Sequence, residues 1–572
     1  MKTKIKSISL TLFLSLFLFN ISHGDCTNFL VTKGASKDGS TMITYAADSH
    51  VLYGELYYRA AADYPEGAML DVYEWDTGKY LGQIPQVDHT YSVVGNMNEH
   101  QLTIGETTYG GREELAVKDS NAIIDYGSLM YITLQRAETA REAIKVMGNL
   151  VDKYGYYSTG ESFSIADPNE AWILEIIGKG PNDNGAVWVA RKIPDGYVSA
   201  HANQARIQTF PLEDEESSIT FSDIDEISNP EVTTVYADDV ISFAKEKGWY
   251  EGKDENFSFS DTYAPMTFGG ARFCEVRVWS FFKDIHDDMG QYLEYVKGNE
   301  LDNRMPLWIK PKEEIGARDL MNFMRDHLEG TELDMRDDFG AGPFDRPYRW
   351  RPLYWEVDGE KYFNERATAT QQTGFSFVSQ SRDWLPDEIG GIFWFSVDDA
   401  ASTVYTPLYA GLQEAPETFA EGNGSMMEWG KNSAFWIFNQ VSNLAYTRYN
   451  LIHPYISDYQ QKLEKRFMQY TTAIDNKAMD LYNDDEQKAI EFVSDFSVDN
   501  ANSLVHNWKN FYQFLFMKYM DGNIKKTEGR KFLTNGHGVL KHPDQPGYGE
   551  DWYRKIIKQT GDKFIVPESD GH

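Results

Sequence analysis

Cys26-Thr27-Asn28-Phe29-Leu30-Val31-Thr32 runs into Lys33-Gly34-Ala35-Ser36-Lys37-Asp38-Gly39-Ser40 and then Thr41-Met42-Ile43-Thr44-Tyr45-Ala46. Two short β-prone runs, 28–32 and 41–46, flank a segment whose Asp38-Gly39 pair is a strong turn signal. Antiparallel pairing of the two runs returns the chain after Ala46 to the start of the first one. Asp48 then arrives within a few residues of Cys26, whichever register the turn selects. A carboxylate in that place either orients a free terminal amine and accepts its hydrogen bonds, or caps the strand end.

What precedes Cys26 gives the cysteine its meaning. Lys2, Lys4 and Lys6 lead an apolar stretch from Ile8 to Ile21, followed by Ser22-His23-Gly24. A basic front, a short apolar middle and small residues at −3 and −1 are the layout of a cleaved signal peptide. A spanning helix needs roughly 20 apolar residues, so no integral membrane anchor is expected. Cleavage after Gly24 and trimming of Asp25 would make Cys26 the first residue, with a thiol nucleophile and its own amine as base. The plain alternative is a first-strand cysteine in a disulfide or in the core. Asp25 stands where a lipoprotein signal has a small residue, which argues against acylation of Cys26.

The net charge of −34 argues against a nucleic-acid partner, whose phosphates demand a basic surface. Two cysteines, Cys26 and Cys274, allow at most one bridge and exclude a disulfide scaffold. Ala271 to Trp279 alternates in the manner of a strand, with Arg272, Cys274, Val276 and Val278 on one face and Phe273, Glu275, Arg277 and Trp279 on the other. On that reading Cys274 is a small buried hydrophobe.

Periodicity divides the rest. Cys26 to Ala202 is strand-rich, interrupted by one or two helices over Ser120 to Val151. Glu213 to Asn229 reads as an acidic exposed loop, Asp319 to Leu328 as a short helix, and Thr368 to Ser379 and Gly390 to Phe395 as strands. Long amphipathic helices fill Ala434 to Tyr482 and Glu486 to Met520. The domains are then a signal peptide over 1–24, a catalytic unit over 26–430, a helical region over 431–528 and a tail over 529–572. The acidic loop and the helical region are expected to wall the cleft around Cys26.

In Tyr197-Val198-Ser199-Ala200-His201-Ala202-Asn203-Gln204, strand alternation places Ser199, His201 and Asn203 on one face. A polar face on an otherwise buried strand must be hydrogen-bonded or functional. Asn203 is a candidate donor to a developing oxyanion. His201 is either a packed structural group or the base of a Cys–His hydrolase.

These residues carry a resemblance. Cys-Thr-Asn-x-x-Val-x-Lys-Gly-Ala-Ser-x-Asp-Gly-Ser, from Cys26 to Ser40, closely resembles the start of the secreted dipeptidases, a family of N-terminal-nucleophile cysteine hydrolases. Asn98-Glu99-His100-Gln101-Leu102, Gly105-Glu106-Thr107, His201-Ala202-Asn203-Gln204, Thr373-Gly374-Phe375-Ser376 and Trp394-Phe395-Ser396 extend it to about Leu412. The family is distantly similar to bile-salt hydrolases and penicillin V acylases, and the resemblance implies an α+β fold, the αββα four-layer sandwich. It also implies a nucleophilic cysteine helped by an aspartate soon after it, an oxyanion-hole asparagine and an arginine on a later strand. On this sequence these are matched by Cys26, Asp48, Asn203 and Arg277.

The function expected is an exported cysteine-type dipeptidase, periplasmic or extracellular. It would act on dipeptides or short peptides through a thioester, with no metal or organic cofactor. An N-acyl amide hydrolase and a non-catalytic exported binding protein are the alternatives.

Overall fold

Asp38 shapes the first hairpin: its Oδ1 accepts from Ser36 Oγ (2.8 Å), Ser40 N (3.1 Å) and Ser40 Oγ (2.6 Å), while Gly39 takes the left-handed φ of 81°. The computed structural model describes residues 25–115, 118–119, 121–214 and 216–567, and the signal-peptide segment 1–24 lies outside the described residues. The chain is a mixed α/β structure with several sheets and a helical C-terminal region.

The strands that matter below are β1 (Asn28–Val31), β2 (Met42–Asp48), β3 (Thr103–Tyr109), β4 (Gly160–Ala166), β5 (Ala171–Gly178) and β6 (Ala186–Lys192). They continue with β7 (Val198–His201), β8 (Trp308–Ile309), β9 (Thr373–Gln380), β10 (Ile392–Val397) and β11 (Thr406–Tyr409). A seven-stranded antiparallel sheet has the order β8-β7-β1-β2-β9-β10-β11. A nine-stranded sheet contains β6-β5-β4-β3, extended by five short strands. In the hairpin Leu30 stands opposite Ile43 and Val31 opposite Met42, and β1 pairs on its other side with β7, Asn28 opposite His201.

The two sheets meet where β1 and β2 lie against β3 and β4. Asn28 turns to the nine-stranded sheet, hydrogen-bonded to Ser164 (3.1 Å). Phe29, the next residue, turns away and stacks on Phe281 at 4.2 Å. Gly105 in β3 makes room for Asn28, because a Cβ there would stand 2.7 Å from the Asn28 amide and push that side chain aside. On the outer side of the nine-stranded sheet run α1 (Tyr126–Leu134) and α2 (Ala140–Tyr154), each capped by a side chain, Asp125 and Thr139.

The strand read over Ala271 to Trp279 is a helix. A wide π-type turn over Gly270–Glu275 runs into α3 (Val276–Ile285), which packs against β7. Every residue from Phe273 to Phe282 is buried. A run buried on all sides has no amphipathic period, so its short alternation of residue types carried no information about its backbone. The acidic stretch 213–229 also differs from a plain loop. Ser218–Thr220 forms an edge strand of the nine-stranded sheet and a 3-10 turn over Phe221–Ser228 buries Ile224 and Ile227 against α2. It stands at the edge of that sheet.

α4 (Ala317–Phe323) lies on β9. The helical region comprises α5 (Ala434–Thr447), α6 (Tyr449–Asp484) and α7 (Glu486–Tyr519). α7 buries Val493, Ala501, Leu504, Val505, Trp508, Phe511 and Leu515, the spacing of one helical face, and each large side chain so buried contributes about 1.5–3 kcal/mol. This face lies across β11, the last strand of its sheet. Helix side chains take backbone N–H groups on and beside that strand: Glu464 Oε1 accepts from Tyr405 (3.1 Å), Ser497 Oγ from Tyr409 (3.1 Å) and Ser494 Oγ from Gln413 (3.0 Å). Among the described residues no helix is long and apolar enough to cross a membrane.

Candidate active site

Cys26 sits one residue before the Thr27–Ala46 bridge that opens the hairpin, and Asp25 N–H donates to the Asp48 carbonyl (2.8 Å). The turn and its register therefore bring Asp48 beside Cys26. Cys26 is 4% exposed, and its Sγ has Tyr45 Oη at 3.7 Å and Glu106 Oε1 at 3.6 Å. Burial pushes its pKa well above the ordinary thiol value, and the charges of Glu106 and Asp48 add to that. With Asp25 attached, the Cys26 nitrogen is an amide and has no basicity to offer. Cys274, the other cysteine, is also a free thiol, raised to about 11 chiefly by burial.

On one flank of Cys26 the groups are cationic. Arg277 rises from α3 and is completely buried. Its Nη1 donates to the Cys26 carbonyl (2.7 Å), Thr27 Oγ1 (2.8 Å) and the Asp25 carbonyl (3.3 Å). Its Nη2 donates to Asn203 Oδ1 (2.9 Å) and the Ala202 carbonyl (3.2 Å), and its Nε to the Phe273 carbonyl (3.1 Å). Burial, then the neighbouring Arg366 charge, pulls its pKa down to about 10, so it stays charged at neutral pH. Arg366 donates to the Asp25 carbonyl and to Asp48 Oδ2, and Thr373 Oγ1 donates to Asp48 Oδ1 (2.5 Å). Burial raises the Asp48 carboxyl, with the Arg366 charge and these hydrogen bonds pulling against it. The Asp25 carboxylate is held by Arg351 (2.6 Å) and Gln372 (2.9 Å).

Asn203 belongs to the same cluster but not to the strand that alternation assigned it. β7 ends at His201, and Asn203 follows in the left-handed region at φ 61°, which asparagine tolerates better than most residues. Its Nδ2 donates to the Thr108 carbonyl (2.7 Å). His201 lies between the sheets, Nδ1 on Thr107 Oγ1 and Nε2 on Ser164 Oγ, both at 2.7 Å. Burial, then the Arg206 charge, lowers its pKa to about 3, so the ring is neutral. Both ring nitrogens are engaged away from Sγ, the geometry of a packed structural histidine.

The other flank is acidic. Glu106 Oε1 accepts from Tyr45 Oη, and Thr108 stands opposite Glu161 in the β3–β4 register, so Glu106, Thr108 and Glu161 share one sheet face. Burial raises the Glu106 carboxyl and raises that of Glu161 further, with Glu106 as the added charge.

The structure thus brings Cys26, Asp48, Asn203 and Arg277 together, Arg277 from a helix. Sequence reasoning missed Tyr45, Glu161, Arg351, Arg366 and Gln372, and noted Glu106 only within a motif. For Glu106 and Glu161 a signal existed: each is a lone acid inside a run that otherwise reads as buried strand. Arg351 and Arg366 come from irregular chain where no periodicity marks a side chain as buried.

A family model described as Peptidase family C69 matches residues 25–462. Curated proteins similar to this chain include a "Probable dipeptidase" of Latilactobacillus sakei, 23% identical over 460 residues, covering 77% of this chain and 85% of that protein. "Dipeptidase A" of Lactobacillus helveticus has the same identity and coverage. A "Probable dipeptidase B" of Streptococcus pyogenes serotype M1 is 20% identical over 517 residues, covering 87% of this chain and 94% of that protein.

Proposed function

Since the chain belongs to peptidase family C69, cysteine peptidases of the N-terminal-nucleophile type, we propose that it is an exported dipeptidase whose nucleophile is Cys26 freed at its amino end. The observation that carries this reading is the convergence on the Asp25–Cys26 peptide. Arg277 and Arg366 reach its carbonyl from one flank, and the thiol faces a hydroxyl and a carboxylate with no imidazole partner. A thiol without an imidazole needs another base, and removal of residues 1–25 turns the Cys26 nitrogen into an amine with an ordinary pKa near 7.7–8.0.

The amine takes the thiol proton, directly or through a water, and the sulfur attacks the carbonyl carbon of the dipeptide. Asn203 and backbone amides meet the oxyanion, and Arg277 fixes Asn203 and the Cys26 carbonyl. The C–N bond breaks as the amine returns the proton to the leaving amino acid. Water then adds to the thioester, and its hydrolysis frees the first amino acid and restores the thiol. Asp48, pinned by Arg366 and Thr373, orients the new amine through the shared strand end.

The facing of the two large sheets, with α1 and α2 outside one and α3 and α4 outside the other, supports the αββα four-layer sandwich as the frame. The helical region and tail are additions to a catalytic unit over 26–430. Export, periplasmic or extracellular, rests on the leader sequence alone.

The test has two parts. Intact mass and N-terminal sequencing of the active enzyme are expected to give Cys26 as residue one; a fully active chain retaining Asp25 would end this mechanism. The kcat/KM for a free dipeptide is expected to exceed clearly those for its N-acetyl form and for a matched hexapeptide. Equal efficiency on all three would defeat the dipeptidase assignment, and preference for the acetylated form would move the chain to the acylase side.

A further inference from the structure

We propose that Glu106 and Glu161 form the subsite that receives the free α-ammonium of the substrate's first residue. The proposal deepens the dipeptidase reading and rests on it. Glu106 is 2% exposed and Glu161 not at all. Glu161 lies close to Glu106 and Thr108, yet neither of its carboxylate oxygens has a hydrogen bond of ordinary length and angle, nor has Glu106 Oε2. Among the described residues neither acid has an ion pair, although other buried carboxylates are paired, such as Asp48 with Arg366 and Glu464 with Arg325. A buried carboxylate without a partner is costly, and two side by side more so. Such a pair either shares a proton or is completed by an arriving cation. No group of three or more His, Cys, Asp or Glu among the described residues is arranged to hold a metal ion. Two carboxylates on one strand face suit an ammonium, which has three hydrogens to donate.

The reach is right. Sulfur attacks a carbonyl carbon from about 3–3.5 Å. The α-nitrogen of the same residue lies two bonds beyond that carbon, about 2.5 Å away, and an ammonium sits about 2.7–2.9 Å from a carboxylate oxygen. Glu106 Oε1 stands 3.6 Å from Cys26 Sγ, within this chain of distances. Asp76, exposed and hydrogen-bonded by Tyr126 Oη (2.8 Å), adds its negative charge to both glutamates from the solvent side. A peptide extended at its amino end, or capped by acetyl, would place a neutral amide where the two acids require a cation. The pair therefore measures one residue on the amino side of the scissile bond.

The experiment compares alanyl-alanine with N-propanoyl-alanine, which differs by a hydrogen in place of the ammonium, on the wild type and on Glu161→Gln. Wild type is expected to favour the dipeptide by about ten- to a hundredfold, the range of a hydrogen bond to a charged group. E161Q is expected to raise KM for the dipeptide by that factor with kcat within about threefold. Its KM for N-propanoyl-alanine should not change. Wild-type KM for the dipeptide should also rise as pH falls, as protons compete with the ammonium for the pair, and this dependence should flatten in the variant. An equal fall in kcat on both substrates would overturn the proposal and assign the pair to the Cys26 amine. Unchanged kinetics would overturn it too and make the two glutamates a self-contained acid pair. Should E161Q not fold, calorimetric binding of the two ligands to Cys26→Ser decides the same question: tighter binding of the dipeptide is expected, and equal affinities would overturn the proposal. Failure of the dipeptidase reading shows separately, as a wild type that hydrolyses no dipeptide.

Discussion

The two flanks of Cys26 are built to opposite rules. On the cationic flank every nitrogen of Arg277 donates, and the two Nη atoms of Arg366 meet four oxygens, those of Asp25, Asp48, Ala367 and Thr368, leaving only its Nε without a hydrogen bond. On the acidic flank Glu161 and half of Glu106 have no hydrogen bond of ordinary geometry. A polar network whose members are nearly all satisfied rigidifies what it touches, whereas buried acids left without partners are costly. The first flank therefore holds the peptide around Cys26 in place, and the second is the side that, on the proposal above, receives the substrate's ammonium.

The largest effect should come from the residue between them. Cys26→Ala is expected to lower dipeptide turnover by about 10⁴-fold or more, the scale of losing a nucleophile. Substantial turnover by that variant would dissolve the comparison, because neither flank would then border the reacting atom.

Asn203→Ala probes the satisfied flank. Its kcat is expected to fall by about 10²–10³-fold with a smaller change in KM, the pattern of a donor used in the transition state. A loss confined to KM would make Asn203 a ground-state contact. The contrast with E161Q, where KM should carry the effect, sharpens the division between a flank that stabilises and a flank that binds.

His201→Asn should be the mildest. Steady-state turnover at neutral pH is expected within about threefold of wild type, since both ring nitrogens face Thr107 and Ser164. Its signature is in stability. A folded pKa near 3 against an ordinary 6.5 means the unfolded chain binds the proton first. The stabilisation from the neutral ring is then complete above about pH 6.5 and is lost as pH falls toward 3. The melting temperature of wild type should drop between pH 7 and pH 4.5 more steeply than that of the variant. A dead His201→Asn beside a near-normal Asn203→Ala would instead make the imidazole the base.

Local pattern made one part of this site readable and concealed the rest. Asp38-Gly39 fixes a turn, a turn fixes a register, and the register carries Asp48 to Cys26, so each step follows from neighbours in sequence. Arg277 was reachable only by resemblance, and its backbone was misread, because a segment buried on every side erases the difference between periods of 2 and 3.6. Arg351 and Arg366 lie more than 300 residues from Asp25 and Asp48 along the chain, and no local rule pairs side chains over that separation. The helices after Asn432 were plain from their amphipathic stripes, but their place across β11 was not, since a stripe says that a face is buried and not against what.

That placement has its own consequence. β11 is the outermost strand of its sheet, and an outermost strand with free backbone donors is a template for another chain. Ser494, Ser497 and Glu464 occupy such donors on β11 and beside it, and Pro407 removes one outright. Since β11 leaves the ribosome well before α7, the sheet waits for its cover during synthesis. The long helices act in this respect as a guard against self-association, and the interval before they dock is when the growing chain is most exposed to its own copies.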